Sequence, residues 1–71
     1  MKTVLIRPLL AVRTDTRLAE TIPRGAAIEV AQHSPRGWIE ITWDGLCFSV
    51  LPDDLIDACS VGDARRIIQN G

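Results

Sequence analysis

Three aspartates, Asp53, Asp54 and Asp57, follow Pro52 within the stretch PDDLIDAC. Carboxylates so close together could hold a divalent cation or divide into a general acid and a general base. Aspartates at the start of a helical turn more commonly cap it and complement its dipole, and PDDLIDAC has the form of such a turn. The soft ligands are sparse: Cys47, Cys59 and His33 are the only cysteines and histidine. One chain therefore lacks the four ligands of a structural zinc site. Neither thiol has a neighbouring base or cationic cluster that would mark it as a nucleophile, and no glycine-rich phosphate loop is present. No catalytic, cofactor-binding or metal-ligating residue is assigned, and an enzyme is not expected.

Recognition chemistry is more visible. Both tryptophans lie in GWIEITWDGLCFSV, Gly37 to Val50, of a chain with no tyrosine and one phenylalanine. Asp44-Gly45 between two alternating runs signals a two-residue hairpin turn, because both central residues of that turn need positive φ. That turn sets Trp43 opposite Leu46, Ile41 opposite Phe48 and Ile39 opposite Val50 on one side of the ribbon. Thr42 with Cys47, Glu40 with Ser49, and Trp38 with Leu51 take the other. Trp43 thus belongs to the core or its rim, whereas the odd separation from Trp43 puts Trp38 on the polar face. The candidate binding face is Trp38 with Glu40 on its strand and with His33 and Arg36 from the adjoining QHSPRG stretch. The competing reading packs Trp38 half-buried under a loop or the N-terminal segment.

The elements that must carry this face are short. Pro8, Pro23-Arg24-Gly25, Ser34-Pro35-Arg36-Gly37, Asp44-Gly45 and Pro52-Asp53 punctuate the chain. Strand-like runs lie between them at 3–7, 9–13, 27–32, 38–43 and 46–51, the pattern of a small all-β barrel or sandwich. Asp53 and Asp63 could each cap a short helical turn in the C-terminal part. The 71 residues are read as a single domain.

Composition bounds the partners. The net charge is −1, although residues 1–36 hold six basic and three acidic groups and residues 37–71 hold two and six. In a compact barrel the two halves interleave, and so weak a net charge argues against strong non-specific binding to nucleic acid or to an anionic membrane. Arg7-Pro8 interrupts the apolar N-terminal run too early for a secretory signal, and no run is long enough to span a membrane. The expectation is a soluble, cytoplasmic protein with reduced cysteines. Hydrophobic residues make up 46 % of the chain, rich for its size. This content, with Val4-Leu5-Ile6 apolar at consecutive positions, predicts a homodimer.

The series Ala11-Val12-Arg13, PRGAAIEV, RGWIEITWDG and VLPDDL resembles a bacterial Src-homology-3-like (SH3-like) domain over roughly residues 10–56. The resemblance makes Gly25 the turn glycine before a strand, Gly37-Trp38 the glycine-tryptophan pair and Pro52 to Leu55 a 3₁₀ turn. It implies a partly open β-barrel of five or six short strands, followed by a short C-terminal helical turn, with 60–71 as a tail or short helix. Ala11 replaces the family's common asparagine, and Phe48-Ser49 replaces its second glycine-tryptophan pair. Many members bind cell-wall peptides outside the cell, a role at odds with that replacement. The function expected here is an adaptor that holds a protein or peptide segment around Trp38. Two alternatives are a nucleic-acid-binding barrel, in which Arg7, Arg13, Arg17, Arg24 and Arg36 converge beside Trp38, and an oligomeric enzyme with its site between subunits.

Overall fold

Asp44 and Gly45 adopt φ values of 52° and 75°, both in the left-handed region that a two-residue hairpin turn requires. A computed structural model describes residues 1–33 and 37–69, apart from the side chains of residues 32, 33, 68 and 69. The strands are β1 (Lys2–Val4), β2 (Leu9–Arg13), β3 (Ala19–Ile22), β4 (Ala27–His33), β5 (Ile39–Trp43) and β6 (Leu46–Val50). Two helices follow, α1 (Pro52–Ala58) and α2 (Val61–Gln69). The strands form one open antiparallel sheet in the order β1-β4-β5-β6-β2-β3. The described chain is therefore mostly β.

The β5–β6 ladder has the register that the turn dictates: Trp43 with Leu46, Thr42 with Cys47, Ile41 with Phe48, Glu40 with Ser49 and Ile39 with Val50. Ile39, Ile41, Phe48 and Val50 are buried, whereas Glu40, Thr42 and Cys47 are exposed. Trp43 is half-buried at the rim, its ring tilted against Phe48 with centroids 6.2 Å apart. Alternation elsewhere points Leu9, Ala11, Ile28 and Val30 into the same core. The inward side of the sheet thus becomes a single apolar cluster, which Leu55, Ala58, Cys59 and Ile67 of the helical segment close.

Two tight reversals hold the flanking strands. At Pro23 to Ala26 the Ala26 N–H donates to the Pro23 carbonyl at 3.2 Å, with Gly25 at φ 88°. Between β2 and β3 the Arg17 N–H donates to the Arg13 carbonyl and the Arg13 N–H to that of Leu18. This loop forces Arg17 to φ 61°, a conformation that costs a side chain with a Cβ about 1–2 kcal/mol.

The structure departs from the sequence reading in four places. Strand β3 had no expected run of its own, because three of its four residues are exposed and only Ile22 reaches the core. The N-terminal strand ends at Val4 instead of Arg7: the Ile6 N–H turns to the Ala58 carbonyl at 2.8 Å, and Arg7 pairs with Asp57 at 3.0 Å. The expected 3₁₀ turn at Pro52–Leu55 is the start of α-helix α1. Its N-cap is Leu51, which makes no side-chain capping bond, so Asp53 lies inside the first turn and is not the cap. Of the tail or short helix expected over 60–71, the structure has the helix, α2, but Asp63 is not its cap. Ser60 accepts the Asp63 N–H at 3.4 Å as its cap, and this frees the Asp63 carboxylate to accept a hydrogen bond from the buried Thr3 hydroxyl.

Two substitutions test this packing. Phe48→Ala removes the largest fully buried side chain and should cost roughly 3–5 kcal/mol, read as a collapse of the thermal transition. Arg17→Gly should raise stability by up to about 1 kcal/mol in urea unfolding, because glycine accepts the left-handed conformation freely.

Candidate functional site

The face of the sheet turned away from the core is where the sequence placed its binding residues. Trp38 is 39 % exposed there, and Glu40, two positions along, shares its face and is exposed. His33 ends β4 with its backbone opposite Ile39, one residue from Trp38. Its side chain and the whole of Arg36 lie outside the described residues.

Two further residues share this face: Leu51, which the hairpin register already paired with Trp38, and Leu10, which the sequence did not bring there. Leu51 is still extended, at φ −76° and ψ 140°, so the β5–β6 register continued by one pair sets it beside Trp38. The β2–β6 pairing covers Arg13 with Phe48 and Val12 with Ser49, and Leu10 lies two residues past it, on the Val12 side of β2. Leu51 is 45 % exposed and Leu10 58 %. Trp38 and Leu51 are thus exposed neighbours at the adjoining ends of β5 and β6, with Glu40 on the same face, and Leu10 is exposed on the same side of β2. The signal for Leu10 was present in the alternation of β2, but it needed the β2–β6 pairing, which is not local in sequence.

The remaining chemical groups are dispersed. Arg13 holds Asp15 through two hydrogen bonds of 3.0 and 2.7 Å and lies 3.5 Å from Glu20. The Arg13 hydrogen bond keeps the Asp15 carboxyl below the usual carboxylate range, and the same bond raises the Arg13 guanidinium. Arg7 is engaged with Asp57 at the helical end, so these two arginines face carboxylates and not a common groove beside Trp38. Asp53, Asp54 and Asp57 are all exposed, and among the described residues no three metal-ligating side chains cluster. Among the described residues, no helix is long and apolar enough to cross a membrane. No known protein family, no curated protein and no solved structure matches the chain.

Cys47 is exposed on the outer face opposite Thr42, whereas Cys59 is buried at the joint between α1 and α2. Burial pushes the Cys59 thiol up, opposed by a hydrogen bond with Thr3 and reinforced by the nearby Asp63 carboxylate. A disulfide reagent should therefore titrate Cys47 at once and reach Cys59 only as the protein opens. The folded state holds the Cys59 proton to higher pH than the unfolded chain does. Its contribution is thus complete below the ordinary thiol range and lost as pH rises from that range through the raised folded value. Urea midpoints measured across that range should fall, and Cys59→Ala should flatten the fall.

Proposed function

We propose that the chain is a small binding module with an SH3-like, partly open barrel, and that it holds an extended protein segment across the face that bears Trp38, Leu51 and Leu10. The observation that carries this reading is the exposure of Trp38 and of two leucines on a face that the core does not use. An indole is a large, rigid contact surface that loses little entropy on binding, which is why tryptophan anchors many interfaces. Glu40, beside it, gives the segment a polar contact and a preferred direction.

The barrel assignment draws on the order of motifs from Leu10 to Ile56 and on the paired hairpins β2–β3 and β5–β6. This apolar face is too small for a membrane surface, and a cytoplasmic location fits the chain's thiols. Nucleic-acid binding has less in its favour, since Arg7 and Arg13 are already neutralised by carboxylates at separate places.

The test is a comparison of two tryptophan variants. Trp38→Ala removes an exposed side chain and should leave the Tm within about 4 °C of the parent while abolishing recovery of the partner from host extract. Trp43→Ala should destabilise first, by a sizeable share of the roughly 3–5 kcal/mol that a fully buried aromatic costs. Undiminished recovery by Trp38→Ala would remove the proposed face.

A further inference from the structure

The helical end of the domain carries an open groove of about 370 Å³ between the Ile6–Arg7 segment and the two helices. Ile6, Ile56, Val61 and Ala64 line it. Two of these are unusually open to solvent, Ile6 at 49 % and Val61 at 73 %. On the rim, Arg7 and Asp57 satisfy one another, whereas Arg65 makes no ion pair among the described residues. An occupant that matches both properties inserts an aliphatic side chain and presents a carboxylate next to it.

The chain itself displays such a segment. Leu51 projects from the end of β6, and the exposed Asp53 and Asp54 follow it in the first turn of α1. The segment starts α1 and the groove flanks its far end. A helix of seven residues is roughly 10 Å long, so a copy cannot fill its own groove.

We propose that Leu51–Asp54 of one copy docks into the helical groove of the next, with Leu51 against Ile6 and Val61 and the aspartates against Arg65. The contact joins two different surfaces and is heterologous, so it builds open chains or closed rings. Self-association, expected from the apolar content, then runs head to tail and not as a two-fold pair. Leu51 also lies beside Trp38, so assembly competes with capture of a foreign segment. That competition alone rests on the proposed function.

Two variants that spare the fold separate the surfaces. Leu51→Ser deletes the knob and supplies the side-chain cap that α1 lacks. Val61→Asp with Arg65→Glu makes the groove acidic, and an aspartate at the first position of α2 is favourable to that helix. Sedimentation at roughly 1 mM would populate even a contact of millimolar Kd. The parent mass should rise with concentration, and each variant alone should remain at 7.8 kDa. An equimolar mixture should give a dimer and nothing larger, because one variant still offers a knob and the other a groove. A monomeric parent, a variant that assembles alone, or a mixture that stays monomeric would each overturn the proposal. Partner recovery by Trp38→Ala reads the binding face separately, whatever the masses show.

Discussion

Positive φ at Asp44 and Gly45 is the constraint on which the rest of the molecule depends. A side chain in a strand alternates between two faces, so a slip of one residue would exchange the core for the surface. With the turn closed where it is, Ile39, Ile41, Phe48 and Val50 meet inside, and Trp38, Glu40 and Thr42 have nowhere to go but out. The same register positions Leu51 at the end of β6, beside Trp38 and at the threshold of α1. Core, candidate face and the entry to the helical segment are therefore consequences of one backbone reversal.

The helices complete what the sheet leaves open. A domain this small has little surplus stability, and its inner face needs a cover. Leu55 and Ala58 from α1, with Ile67 from α2, supply it. Their attachment is partly polar: the Ile6 N–H takes the Ala58 carbonyl at the end of α1, and Thr3 bonds Asp63 in the first turn of α2. These bonds satisfy backbone and hydroxyl groups that burial would otherwise leave without partners. They also bend the chain after Val4, which ends the first strand early and leaves Ile6 open to solvent.

What the sequence made legible follows the reach of local rules. Strands β2, β4, β5 and β6 were visible because turn residues bracket alternating apolar runs, and the turn itself assigned the faces of Trp38 and Trp43. Strand β3 was hidden because an edge strand with one buried residue has no periodicity to read. The 3₁₀ turn came from resemblance, and the chain makes α-type bonds in its place, from the Leu55 N–H to the Leu51 carbonyl and from the Cys59 N–H to the Leu55 carbonyl, in a helix that buries both Leu55 and Ala58. The site was half legible: Trp38 and Glu40 follow from parity, whereas Leu10 joins them only through a pairing between strands far apart in the chain. Asp63 read as a cap, but Ser60 fills that place and Asp63 turns to Thr3, a partner no sequence neighbour announces.

The central claim is that one turn divides the two tryptophans between the outer face and the rim of the core. Its most direct test is the emission of Trp38 alone, measured in a Trp43→Phe background without any partner. A solvent-facing indole emits at long wavelength and is quenched readily by acrylamide, and that is the result this structure predicts. A blue-shifted emission that resists the quencher would mean Trp38 is buried, contradicting both the register and the face built on it.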